Sequence, residues 1–156
     1  MKIAVFPGSF DPVTSGHIDI LKQAAPLFDK IYAAVLVNTE KKTMFSPADR
    51  IEMLKLATAG ITNVEVGSFS GFTTDYCHAV SAEYIIRGIR NSNDLEYEKT
   101  LSEAYGMVAP DVKKLYFLPE AANQNVNSTV ARELIIHGKS LNGLLPEAVI
   151  KYIKEK

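Results

Sequence analysis

The sequence predicts one α/β domain, a five-stranded parallel sheet with helices on both faces. Three observations carry this expectation. Apolar or β-branched runs recur five times, segments of helical period separate them, and the 156 residues match the roughly 100–200 that one hydrophobic core serves. With 47% hydrophobic and 22% charged residues, the chain can bury a sizeable core beneath an ordinary solvated surface. One Rossmann-like domain over residues 1–156 is expected.

Residues 3–6, Ile-Ala-Val-Phe, form the first predicted strand. The helix after it carries Ile18, Leu21, Ala25 and Phe28 at helical spacing, and Pro26 is expected to kink it or end it early. Residues 31–37 make the second strand. Ser46-Pro47-Ala48-Asp49 then supplies an N-cap, a proline at the first helical position and an acid at the third; Ile51, Leu54 and Thr58 follow on one face, and Gly60 is the stop. The third, fourth and fifth strands are read at 64–69, 84–86 and 115–118. Two helices close the sequence, one over 129–137 stopped by Gly138 and one from Pro146 to about Ile153.

Right-handed crossovers put the C-terminal ends of all five strands on one edge, where open α/β sheets bind ligands. The loops there hold most of the chemistry. Gly8-Ser9-Phe10-Asp11-Pro12-Val13-Thr14-Ser15-Gly16-His17 delivers the first strand into a helix. Gly8 allows a close backbone approach or a positive φ, Asp11-Pro12 stiffens the connection, and Gly16 leaves His17 uncrowded in the first helical turn. An imidazole at a helix N-terminus adds a donor to a place that already attracts anions. Lys41 follows the second strand, Phe72-Thr73 the third, Arg87 to Arg90 the fourth and Asn123 to Thr129 the fifth. Arg87, after Ile85-Ile86 and before a glycine, has no evident structural duty there. Asn127-Ser128-Thr129 can cap a helix or bind phosphate with the same geometry. A dinucleotide-binding dehydrogenase fits less well, because the first loop lacks Gly-x-Gly-x-x-Gly and the second strand ends at Val37-Asn38 without an acid.

Gly8-Ser9-Phe10-Asp11-Pro12 with Thr14-Ser15-Gly16-His17 resembles the signature of the Thr/His-x-Gly-His nucleotidyltransferases. Lys41-Lys42 with Met44-Phe45, the 71–76 segment, Arg87-Gly88-Ile89-Arg90, Asp94 to Glu98, and Ser128-Thr129 with Arg132-Glu133 extend the likeness over nearly the whole chain, toward the phosphopantetheine adenylyltransferase family. The resemblance implies adenylyl transfer from ATP to 4′-phosphopantetheine, giving 3′-dephospho-coenzyme A and pyrophosphate. It assigns His17 to transition-state stabilisation, with Lys41 and Arg90 beside it; Ser9, Lys41, Phe72, Thr73 and Arg87 to the acceptor; and Ser9, Phe10, His17, Gly88, Ile89, Arg90 and Glu98 to ATP. To these it adds Asn123, Gln124, Asn125, Val126, Asn127, Ser128 and Thr129 for the nucleotide. Ser9 stands where threonine is commoner, Leu95 where phenylalanine is, and Asn123 where the family often has an aromatic residue. Mg²⁺ is expected with ATP, and a homohexamer is implied by resemblance alone. The alternatives are transfer to another small phosphate, such as nicotinamide mononucleotide or glycerol phosphate, and a nucleotide-sensing module without turnover.

A net charge of −1 offers no global basic field for nucleic acid or an anionic membrane, so small-molecule partners are expected. Cys77 is the only cysteine, which excludes an intrachain disulfide and any Cys-x-x-Cys metal site. The first strand begins without a charged leader, and no stretch approaches the roughly 18 apolar residues of a membrane span. A cytoplasmic location is the expectation. His78 and His137 are read as structural or exposed, for want of partners at metal-ligand spacing.

Overall fold

A computed structural model describes residues 1–156 and places the strands β1 (Ile3–Gly8), β2 (Lys30–Leu36), β3 (Val64–Phe69), β4 (Tyr84–Gly88) and β5 (Lys113–Phe117) in one parallel sheet. Their order is β3-β2-β1-β4-β5, so connections run one way from β1 and then reverse across it to β4. Helices α1 (Ser15–Ala24), α2 (Pro47–Thr58), α5 (Ser128–Ile136) and α6 (Glu147–Lys154) bury one face, around Phe6, Leu21, Ile31, Leu54, Ile86 and Val149. Helices α3 (Thr73–Ala79) and α4 (Ser92–Val108) cover the other through Val5, Ala34, Cys77, Ile85 and Tyr105. Alternate residues of the central strands thus feed opposite cores, which is the period-two side-chain pattern of a sheet buried on both faces.

Local signals explain most boundaries. Ser46 accepts a hydrogen bond from Asp49 N–H and caps α2, with Pro47 at its first position. Pro26 converts the end of α1 into a short 3₁₀ turn, Ala25–Leu27. Gly138 takes φ +63° after α5, as a left-handed C-terminal stop requires. Other boundaries differ from expectation. β5 begins two residues early, at the half-solvated Lys113-Lys114, because an edge strand needs no apolar residue on its open side. The seventeen-residue α4 has weak apolar periodicity, since only Glu98 and Tyr105 along it are buried. On α2 the buried residues are Arg50, Met53, Leu54 and Thr58, with Ile51 half-buried against the same core.

β1 controls where the sheet opens. It pairs with β2 through Gly8, but with β4 only at Ala4 and Val5. Past that point Pro7 contributes no N–H to either neighbour. A gap therefore forms between the ends of β1 and β4, at the reversal of strand order. No helix is long and apolar enough to cross a membrane.

Candidate active site

The gap between β1 and β4 widens into a cleft of about 360 Å³, walled by Gly8 and His17 on one side and by Arg87, Gly88 and Arg90 on the other. Asn123 and the start of α5, Asn127 to Thr129, close its far end. The cleft also takes in Glu98 and Val126 from the sequence-derived candidates.

His17 is built into the first turn of α1. Thr14 is the N-cap and its hydroxyl accepts from His17 N–H, while His17 Nδ1 accepts from Thr14 N–H at 2.9 Å. A nitrogen that accepts from a backbone N–H cannot carry the ring proton, so the proton sits on Nε2, which has no protein partner. Phe10 packs edge-on against the imidazole at 4.9 Å and Phe6 lies tilted at 6.2 Å. Burial, with the charge of Arg90 second, lowers the His17 pKa from 6.5 to about 4. A neutral imidazole thus lines the cleft as a fixed N–H donor.

Of the two readings of Gly8, lining the cleft with bare backbone holds and a positive φ does not. Gly8 does not take a positive φ; Phe10 does, at +49°, and a Cβ on Gly8 would sit 3.1 Å from the Phe10 ring. Gly16 makes room for the backbone of the 121–127 segment, since its Cβ would lie 3.2 Å from the Val126 carbonyl oxygen.

Arg87 has a structural duty after all. Its Nε and Nη2 grip the carboxylate of Glu98 at 2.6–3.0 Å, and Glu98 is 5% exposed. Although burial works against its charge, the hydrogen bonds and charge of Glu98 raise the Arg87 pKa. Nη1 is left outside the pair. Arg90 is steadied by Asp94, which approaches its Nε at 3.3 Å and accepts from its backbone N–H. Both acids that face the cleft beside the arginines are therefore already engaged.

Asn127 caps α5 by accepting from Val130 N–H, Ser128 Oγ donates to the Pro12 carbonyl, and Thr129 Oγ1 accepts from Arg132. The remaining free N–H groups of the first turn and the uncommitted hydroxyl proton of Thr129 form an anion-attracting wall. Other candidates lie elsewhere. Phe10 is 2% exposed and serves as packing under His17. Lys41 is exposed on the 37–46 loop, Phe72 stands just before α3 and packs edge-on against Tyr105, and Thr73 is buried. Ser9, Ile89, Gln124 and Asn125 also do not line the cleft.

Several residues shape the site in ways the sequence does not announce: Asp11 is read there only as stiffening its loop, and Asp19 and Arg50 are not singled out at all. Asp11 accepts from Met44 N–H and Phe45 N–H with its carboxylate and from Arg132 with its carbonyl. Buried Arg50 donates to the carbonyls of Ser9 and Leu36, its Nε without a partner. Asp19 ties down the 119–123 segment from α1. The only available signal was the four-residue spacing of Arg50 with Leu54 and Thr58.

His137 does have an acid on its own helix, Glu133 one turn before, and His78 meets Asp111 across space, both at 2.9 Å. Each is a surface pair. No group of three or more His, Cys, Asp or Glu side chains is placed to hold a metal ion. Cys77 is fully buried, and burial pushes its thiol up to about 12.

Residues 5–134 match the model of the cytidylyltransferase-like family. The chain is similar to the phosphopantetheine adenylyltransferase of Christiangramia forsetii, at 41% identity over 97% of this chain and 99% of that one. It is likewise similar to proteins of that name from Leptospira biflexa, at 36% identity over 99% and 97%, and Clostridium beijerinckii, at 35% over 100% and 98%.

Proposed function

The chain belongs to the phosphopantetheine adenylyltransferases of the cytidylyltransferase-like family, and from that premise we infer that it transfers the adenylyl group of ATP to 4′-phosphopantetheine. The products are 3′-dephospho-coenzyme A and pyrophosphate. The observation that carries the reading beyond likeness is the donor set of the cleft: His17, whose Nε2–H is free, lines it together with Arg87, Arg90 and the start of α5.

An oxygen of the acceptor phosphate forms a bond to the α-phosphorus while the bond to the bridging oxygen of pyrophosphate breaks. The nucleophile is already an anion and needs no base. What the reaction needs is alignment of two polyanions and donors aimed at charge that grows on the non-bridging oxygens. His17 Nε2–H and Arg90 supply those donors beside the α-phosphate. Asn127 to Thr129 receive the β- and γ-phosphates, and Arg87 Nη1 with Lys41 draws in the acceptor phosphate. Lys41 reaches from a loop that Asp11 holds by two hydrogen bonds. The thiol of Cys77 is inert by burial, Ser9 Oγ has no base bonded to it and His17 Nε2 carries the ring proton, so no nucleophile stands ready and transfer is direct.

ATP enters as its magnesium complex. The two cleft carboxylates, Asp94 and Glu98, are committed to arginines, which leaves the phosphates and water to hold the ion. A cytoplasmic homohexamer is part of the proposal, and sedimentation tests the assembly. The activity itself is tested by measuring pyrophosphate from ATP and magnesium with 4′-phosphopantetheine, nicotinamide mononucleotide and glycerol phosphate in parallel. Release with the first acceptor alone, abolished by EDTA and restored by magnesium, is expected. Turnover with another acceptor, or none with 4′-phosphopantetheine, overturns it.

A further inference from the structure

Asp19 is 16 residues beyond the start of β1, on α1, and every hydrogen bond its carboxylate makes is one it accepts. Oδ1 takes Gln23 Nε2–H at 3.0 Å, and Oδ2 takes Glu120 N–H at 2.7 Å and Asn123 Nδ2–H at 3.1 Å. Although burial works against the charge, these three donors hold the carboxyl below the usual carboxylate range. An ionised carboxylate can only accept. It therefore fixes which end of the Asn123 amide points at α1: the NH₂ must, and the carbonyl oxygen Oδ1 is turned away, with no protein partner.

Asn123 lines the cleft, and the lining also holds Ile20, Gly88, Pro119 and Val126, an apolar set suited to the faces of a flat ring. Gly88 and Ile20 close on each other so tightly that a Cβ at 88 would lie 3.2 Å from Ile20. The rest of the wall includes the arginines, His17, hydroxyls and the two acids Asp94 and Glu98, whose carboxylates are taken up by Arg90 and Arg87. A single oriented acceptor among apolar groups reads one edge of a base.

We propose that Asn123, its amide held by the positioning residue Asp19, selects a nucleotide whose base bears an exocyclic amine, through an N–H donated by that amine to Oδ1. This rests on the ATP reading above and deepens it. A base with a carbonyl at the same place would set two acceptors against each other and leave Oδ1 unpaired.

Inosine triphosphate is the probe, because it differs from ATP only in exchanging the amine at C6 for a carbonyl and its tautomeric ring proton. kcat/KM for each nucleotide is measured with 4′-phosphopantetheine as acceptor, in the wild type, Asn123→Ala and Asp19→Asn. The wild type should prefer ATP, and Asn123→Ala should cut the preference about tenfold by slowing ATP use while sparing inosine triphosphate. Asp19→Asn, which lets the amide turn, should lower the same ratio. A purely structural role would depress both nucleotides alike and leave the ratio unmoved. No preference in the wild type, or an unchanged ratio in Asn123→Ala, overturns the proposal; an unchanged ratio in Asp19→Asn alone overturns the part given to Asp19. Should the wild type release no pyrophosphate, the activity reading fails separately, and calorimetric binding of ATP against inosine triphosphate to the same three proteins decides the base preference by the same criteria.

Discussion

His17 shows how one side chain is committed twice. Nδ1 caps its own helix and Nε2 faces the cleft, so the imidazole cannot rotate without uncapping α1. Its ¹⁵N resonances should report the neutral Nε2–H tautomer and stay unchanged from pH 8 to 5, below the ordinary midpoint of 6.5 and above its own at about 4. A titration near 6.5 would contradict the burial that lowers it. The same shift has a stability consequence. Between pH 6.5 and 4 the unfolded chain takes up a proton that the folded imidazole refuses, so the fold loses stability as pH falls through that window. His17→Ala should flatten that loss in denaturant titrations, at the cost of roughly 100- to 1,000-fold in kcat, with KM much less affected. The residue types of this site were legible because Gly, Thr and His stand at fixed spacing between a strand and a helix. Their contacts were not, since the duty of Gly16 depends on Val126 and that of Gly8 on the Phe10 ring.

β4 and α4 meet through Arg87 and Glu98, a strand end holding the second turn of a helix whose own apolar face is thin. Removing one partner strands the other. Arg87→Ala leaves the Glu98 carboxylate buried without its cation and should cost roughly 3–5 kcal/mol of stability, besides weakening acceptor binding. Arg87→Ala with Glu98→Ala should recover much of that stability and none of the binding, a pattern that paired denaturation and kinetic measurements would resolve. Equal stabilities for the single and double variants would show that the pair does not bear on α4. Strands and capped helices were readable because they are written locally: Ser46-Pro47-Ala48-Asp49 contains its own start signal. The charged bond from Arg87 to Glu98 spans eleven residues and two elements, and nothing in either segment announces it.

At the level of the whole molecule, the order β3-β2-β1-β4-β5 brings residues 8–17 against residues 87–90 and 123–129, as alternation of strands and helices foretold. The cleft's position was therefore legible, while its supports, Asp11, Asp19 and Arg50, were not. Charged side chains inside a sequence read as surface, and only tertiary contact reveals that these three hold backbone. Asp11 has the widest reach, binding the loop that carries Lys41 through its carboxylate and the helix that opens at Ser128 through its carbonyl.

That three-way junction makes the two substrates thermodynamically reciprocal. Whatever a nucleotide gains by stiffening the start of α5, the acceptor inherits on the Lys41 loop, and linkage requires the factor to be the same in both directions. Titration calorimetry with an ATP analogue that cannot be cleaved between its α- and β-phosphates should find the analogue binding tighter when acceptor is present and acceptor binding tighter, by an equal factor, when the analogue is present. Asp11→Ala should bring that factor close to one while the protein still binds each ligand alone; an undiminished factor would place the communication elsewhere.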